Sequence, residues 1–568
     1  MKDLMNSLAG KLLLAAFFVV LAIVLPGFWN GSGWNEAARK DFYTRDQGSR
    51  IMPLAWMQAL KQPNGEPFLA DSLSRYGYLP NASSPTPGLP VGFVAAGPAG
   101  GLSIGMTCSA CHTREIDVNG TAYRIDGGPA IVDFQSFLAD LDRAVGTVLS
   151  SDTAFAAFAK AVLGPTPADP ATLHAELNLW YLRYHTLIEK ALPTPAWGPS
   201  RLDAVAMIFN RLTGLDIGQP PSYLIPDNIK PAAAPVRYPF LWNAPVQDWT
   251  QWPGFAQNGN DLLGLSRNLG EVYGVFADFH PRQDPSIPLL KVDYLTNNSA
   301  NFVGLLALET LVKRLAPPKW PFAVDTALAT QGQAIFARTT EQGGCADCHG
   351  IRQGDFRFPN QTWATPILDV GTDSREHDIL KFAVKTGGLV GARIPPLTAP
   401  LQPVDAAFSV LATSVLGSIL QELGQELGVP AVSARTAQLL GVPAQSMVGT
   451  ATSSLKGAFI PAPTTGYPYE SRVLQGVWAV APYLHNGSVP TLAELLKPAA
   501  ERAKSFKIGP AYDIVNVGLA AEQTKFNYTL ETTDCADRNS GNSRCGHEYG
   551  TKLPAEEKRA LLEYLKTL

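Results

Sequence analysis

The sequence predicts a mainly α chain: two helical domains with long loops and large insertions, following an apolar N-terminal helix. Three observations predict it. A strongly apolar run, Leu12–Leu25, follows Lys2 and Lys11 near the start. Two copies of the pattern CxxCH occur, Cys108–His112 and Cys345–His349. Amphipathic segments at helical spacing precede the second copy and end the chain. The 568 residues are 46% hydrophobic but only 17% charged, with a net charge of −4. Charge that low and that balanced excludes both a disordered chain and a nucleic-acid partner. Gly (50) and Pro (46) are in excess without any repeat to explain them, which implies ordered, turn-rich connections around a large core.

The first element is the apolar run. A basic start followed by a short apolar stretch is the architecture of an export signal, but Pro26-Gly27-Phe28-Trp29 is a poor small-residue cleavage pattern. Counted from Leu12 to Trp29 the segment has 18 residues, just enough to span a bilayer. Residues 1–33 therefore read as a signal or membrane anchor, with an uncleaved anchor over residues 12–29 preferred. Either places the body on the periplasmic or extracellular side, with the positive end inside.

The two CxxCH motifs come next. Two thiols three residues apart reach the two vinyl groups of one porphyrin, and the adjacent histidine falls beneath the iron as proximal ligand. One copy is ambiguous between a haem site, a redox pair and half a zinc site. Two copies in an exported chain, with no other close cysteine pair to complete a zinc site, imply two covalently bound haem c groups. Cys108, Cys111 and His112 would hold the first, and Cys345, Cys348 and His349 the second.

Around the second motif, Asp325–Thr339 carries Leu328, Ile335 and Phe336 at helical spacing. Pro554–Leu568 opens on proline, has two glutamates in its first turn, and aligns Leu561, Leu562, Leu565 and Leu568. A leading helix before CxxCH and a closing helix after it are how cytochrome c modules enclose haem. The expected division is residues 34–320 for the first haem domain and 321–568 for the second. A simple module needs only ~100 residues, so the second carries large insertions. One of these, Asp405–Leu427, reads as a helix, buried or facing a substrate.

What a haem does depends on its sixth position: filled, it transfers electrons, and open, it binds dioxygen or peroxide. His174, His185, His280, His377, His485 and His547 remain as candidates, with Met207 and Met447 as thioether alternatives. His547 stands out, because Cys535 and Cys545 would be oxidised outside the cytoplasm and would brace its loop. His485, in Pro482-Tyr483-Leu484-His485-Asn486-Gly487, is the rival ligand. Nothing comparable follows the first motif closely, so the first haem is expected to keep an open face.

These motifs resemble a known family. The chain is similar to the di-haem c-type proteins that include bacterial di-haem cytochrome c peroxidases and the methylamine-utilisation di-haem enzyme. It looks closest to the branch containing rubber (polyisoprene) oxygenase and periplasmic fatty-acid dioxygenases. The matching stretches are Thr107–His112 with Tyr123–Ala130, Cys345–Gly350, Gly476–Leu496 and Gly546–Thr551. The resemblance implies a catalytic first haem over His112 and a second, bis-histidine haem between His349 and His547 that stores or relays electrons. The aromatic-rich stretch Pro239–Phe279 is then expected to serve the first haem, with Trp249 or Trp252 beside it. Arg267, Asn268 and Glu271 in the same stretch would point at bound oxygen. The resemblance leaves open a calcium ion between the domains, as in the peroxidases.

Three functions follow as expectations. The first is a dioxygenase acting on an unsaturated hydrophobic substrate, a polyisoprenoid or a fatty acid. The second is a peroxidase that reduces hydrogen peroxide with electrons from a small cytochrome or cupredoxin. The third is an anchored di-haem electron carrier.

Overall fold

Helix and strand share this chain more evenly than the sequence predicts. The computed structural model describes residues 33–98, 101–164, 169–395, 397–426 and 466–568. It is 38% helical and 16% strand, with many small sheets, so the expectation of a mainly α fold is corrected. The apolar N-terminal helix expected over residues 12–29 lies outside the described residues, as does Met447. No helix among the described residues is long and apolar enough to cross a membrane.

Most of the strands are only two or three residues long, too short for a period-2 pattern to register in the sequence. The longest ribbon was legible. Strands β1 (Thr113–Val118) and β2 (Thr121–Asp126) pair antiparallel directly after the first CxxCH. Their turn is Asn119-Gly120, with φ of 54° and 83°, the left-handed pair that a tight two-residue hairpin requires. Farther on, β3 (Arg201–Leu202) pairs with β4 (Val236–Arg237), and β5 (Trp249–Thr250) with β6 (Ala256–Gln257).

The helices that position the site obey ordinary end rules. Helix α1 (Asp261–Gly274) starts at Asn260, whose side chain accepts from Leu263 N–H. Helix α2 is Phe302–Val312. Helix α3 (Thr326–Phe336) starts at Asp325, whose carboxylate takes the N–H groups of Ala327 and Leu328. Helix α4 is Ala407–Glu426, and α5 (Ala555–Thr567) carries Glu556 and Glu557 in its first turn. The expected leading and closing helices are thus α3 and α5, and they cross at Gly332, where a Cβ would run into the carbonyl of Ala560. Only glycine permits that approach.

Two apolar cores fill the molecule. The larger gathers residues from Ile51 to Ile419, with Leu263, Leu269, Leu411 and Val415 among them, and it places α4 against α1. The smaller draws Phe42, Ile116, Phe240 and Trp242 together with Trp478, Tyr483, Leu561 and Leu565. Chain from either side of residue 320 therefore contributes to it.

Candidate haem sites

His112 and His349 are held by the same device. His112 Nδ1 lies 2.9 Å from the carbonyl oxygen of Pro239, and His349 Nδ1 lies 2.7 Å from that of Arg472. A carbonyl oxygen can only accept, so Nδ1 carries the proton in each ring and Nε2 keeps its lone pair for a metal. Desolvation pushes His112 down to about 4 and lowers His349, so both are neutral imidazoles at physiological pH. Burial pushes Cys108 and Cys111 up to about 12 and Cys345 up to about 11, so before haem is attached these side chains are uncharged thiols. Arg472 also links the two carbonyl posts. Its Nη1 donates to Phe240 O at 2.9 Å, one residue from Pro239, and its guanidinium stacks on the Phe240 ring at 4.0 Å.

Across from His349 stands His547. Their ring centroids are 6.1 Å apart. Two metal–imidazole bonds of about 2 Å, with about 1.1 Å from nitrogen to centroid in each ring, would span ~6.2 Å, so the gap would accept one metal between the rings. Both rings line a cavity that also contains Cys345, Cys348, Leu492, Leu496, Leu561 and Leu565. His547 Nδ1 is buried without a hydrogen-bond partner. Desolvation, followed by the charges of His349 and Arg502, lowers this ring to about 3. Its backbone is left-handed, at φ 52°, a conformation that costs a non-glycine residue about 1–2 kcal/mol.

Strain of that kind persists only where neighbours over-determine it. Here His547 N–H donates to Val370 O at 2.8 Å. Arg502 donates to the carbonyls of Arg544 and Gly546, both at 2.7 Å, and to that of His547 at 3.1 Å. The expected disulfide, Cys535–Cys545, closes the loop just ahead. His485, the rival ligand, lines the same cavity, with its ring stacked on Tyr469 at 3.7 Å between centroids, whereas His547 is the imidazole that faces His349.

No histidine plays the part of His547 opposite His112. His112 makes its ring contact with Tyr238. His174 contacts Phe155 and Asn178, His185 pairs with Asp142, His280 stacks on Tyr223, and His377 Nε2 reaches the Pro468 carbonyl. What comes near the first motif is α1. The charges of Glu271 and Arg267 are felt at Cys108, and that of Glu271 at Cys111. Glu271 and Arg267 border a small cavity walled by Val205, Ile208, Phe209, Phe255 and Leu411.

The predicted polar residues are braced rather than free. Arg267 donates to Glu309 Oε1 at 2.6 Å and to Asn258 Oδ1 at 2.5 Å, and Asn268 donates to the same Glu309 oxygen at 2.5 Å. Glu271 accepts from Gln251 Nε2 at 2.8 Å, and burial raises its carboxyl above the usual range. The two tryptophans divide. Trp249 is half-buried beside Arg357, while Trp252 lines the cavity of His349 and His547. Gln251 borders the first cavity and Trp252 the second, so consecutive residues after β5 face the two sites in turn.

The posts Pro239, Arg472 and Val370, and the brace Arg502, were not found from sequence. They act through backbone carbonyls or on them, and such roles leave no mark on residue type. Gln251 is the exception, an amide between two tryptophans. No group of three or more His, Cys, Asp or Glu suited to a metal ion occurs among the described residues.

Residues 468–507, which supply Tyr469, Arg472, Tyr483 and His485, match the family model described as RoxA-like, cytochrome c-like. The chain is 32% identical to the protein described as uncharacterized protein y4iJ of Sinorhizobium fredii, over 95% of this chain and 93% of that one. It is 24% identical to uncharacterized protein y4iM of the same organism, over 68% of this chain and 75% of the other. The chain belongs to the family of the Sinorhizobium fredii protein y4iJ, and it carries a cytochrome c-like segment of the RoxA type, which implies covalently bound haem c.

Proposed function

We propose that this protein is a di-haem c-type oxidoreductase that uses dioxygen at its first haem to oxygenate an unsaturated hydrophobic substrate, a polyisoprenoid or a fatty acid. The observation that carries the reading is the asymmetry of the two CxxCH sites: His547 faces His349, whereas no histidine faces His112. Bound haem supplies an iron that takes up dioxygen where its sixth position is open and passes single electrons where that position is filled.

The chain supplies the rest. Pro239 and Arg472 fix the ligating tautomer of each proximal histidine. Val205, Ile208, Phe209, Phe255 and Leu411 wall a small apolar cavity beside Glu271 and Arg267, and apolar walls of that kind keep water from a reactive centre. Arg267 and Asn268, locked onto Glu309, hold α1 in register. Trp252, flat under Arg237 at 4.7 Å, is an aromatic wall of the second cavity, suited to assist electron transfer there. The family to which the motifs are similar acts outside the cytoplasm, and a chain anchored through residues 12–29 would do the same.

One observation favours a second reading. Glu271 is a buried carboxyl beside Cys108 and Cys111 that holds its proton more tightly than usual, as an acid–base group for peroxide cleavage would. Two measurements separate the readings. The reduced protein is expected to bind one carbon monoxide per two haems, and an oxygen electrode should record uptake with an unsaturated hydrophobic compound. Consumption of peroxide with a reduced small cytochrome or cupredoxin, and no oxygen uptake, would replace the dioxygenase by a peroxidase. No carbon monoxide binding at all would leave an electron carrier.

A further inference from the structure

Three guanidinium groups lie buried between the two sites with too little negative charge to match them. Arg114, two residues beyond His112 on β1, is fully buried; its Nη1 donates to Pro129 O at 3.2 Å, but Nε and Nη2 have no partner. Arg237, on β4, donates from Nε to Leu484 O at 2.9 Å and leaves Nη1 without a partner. Arg472 donates to Gln247 and Phe240 and has Glu470 at 3.6 Å. The charges of Arg472 and Arg114 both act on Arg237, so both lie within electrostatic reach of it. Tyr483 is near both Arg114 and Arg237.

The only carboxyl in the row is weakly charged. Burial pushes Glu470 up to about 7, and its Oε2 has no partner. Among the described residues, neither Arg114 nor Arg237 has an ion-pair partner. A buried guanidinium persists only when it is paired and its N–H groups are bonded. The forked donors of arginine fit a carboxylate. Arg237 and Arg472 both line the cavity of His349 and His547, alongside Cys345 and Cys348.

We infer that this row receives the carboxylate side chains of the two haems: Arg237 and Arg472 those of the second haem, and Arg114 one of the first. The inference rests on the di-haem reading above and adds the residues that hold the acidic edge of each cofactor. Among the described residues no anion other than Glu470 is buried in this row, and haem c brings two carboxylates with each copy. A guanidinium paired to a carboxylate beside an iron also favours the reduced form, because it offsets negative charge that would stabilise the ferric state. The row therefore sets the potentials of both haems, and each arginine acts chiefly on its own.

The test is a spectroelectrochemical titration of the full-length holoprotein, with haem per chain counted by pyridine haemochrome. Arg237→Gln should lower the potential of the low-spin haem and leave the other in place; Arg114→Gln should do the reverse. Arg237→Lys, which keeps the charge, should return most of the shift. Unchanged potentials in both glutamine variants, each with two haems per chain, would overturn the assignment and leave the di-haem reading intact. One haem per chain in the wild type would overturn both. A wild-type potential that tracks added chloride or phosphate would also overturn it, since an inorganic anion would then fill the row. Should the glutamine variants fail to fold, resonance Raman of the wild type decides: propionate bands of a hydrogen-bonded carboxylate support the pairing, and bands of a free, solvated one refute it.

Discussion

His112 and His349 are held alike and faced differently. Each donates its Nδ1–H to a backbone carbonyl, at 2.9 Å and 2.7 Å, and each follows a buried cysteine pair. Opposite His349 the chain spends a disulfide, a left-handed backbone and three donations from Arg502 to hold one imidazole. Among the described residues no histidine faces His112; the charges of Glu271 and Arg267, on a helix beside a small apolar cavity, reach the cysteines of its motif instead. The chain fixes one imidazole rigidly against His349 and leaves His112 without a facing histidine.

The comparison can be broken most decisively at His547. His547→Ala should abolish the low-spin spectrum of one haem and raise carbon monoxide binding from one per chain to two, read by difference spectroscopy. An unchanged spectrum would transfer the ligand role to another side chain and dissolve the asymmetry.

The first site is tested at Glu271. Glu271→Gln keeps shape and removes the proton it can give, so turnover with oxygen or peroxide should fall by roughly 10²–10⁴ if the carboxyl acts as acid or base. A fall of less than about threefold would reduce it to a packing group, since losing acid–base assistance costs far more.

The crossing of α3 and α5 sharpens the contrast from the side of stability. Gly332→Leu must push the helices apart at Ala560, at an expected cost of roughly 3 kcal/mol or more, because overpacking alone reaches that range. The low-spin haem should lose its native circular dichroism at lower denaturant than the other haem does. Coincident transitions would mean that the two halves unfold as one unit.

The smallest effect is acid sensitivity away from both sites. Burial lowers His280 to about 4, and its ring is stacked on Tyr223. An unfolded histidine titrates near 6.5, so its contribution is complete above that pH and is lost as pH falls toward 4. At pH 5 the loss is about 2 kcal/mol for this residue. Thermal melts of wild type should therefore fall between pH 7 and pH 5, and His280→Gln should flatten that fall in part.

How much of this was legible in the sequence depended on whether a role belongs to a side chain or to the backbone. CxxCH, the helices α3 and α5, the Cys535–Cys545 bridge and His547 could be read because cysteine, histidine and helical periodicity declare themselves. The region of Arg267, Asn268 and Glu271 was found, but their mutual bracing through Glu309 was not, since that residue sits on α2, some forty positions away. Trp252 was assigned to the neighbourhood of the first haem, yet it lines the second cavity, because alternation along the chain after β5 turns Gln251 and Trp252 to different sides. The small sheets were missed for want of length, apart from the Asn119-Gly120 hairpin, whose turn residues could have revealed it.

That hairpin carries one further consequence. Its last residue, Asp126, accepts from Trp34 Nε1, Arg39 Nε and Tyr43 Oη, so the start of the described chain is fastened next to His112. Gly127 N–H bonds the His112 carbonyl at 2.9 Å, which continues the connection into the first motif. In a protein tethered through residues 12–29, the leash from Trp29 to Trp34 is about five residues, at most ~18 Å when extended. On the anchored reading proposed above, the first site would then lie near the bilayer surface.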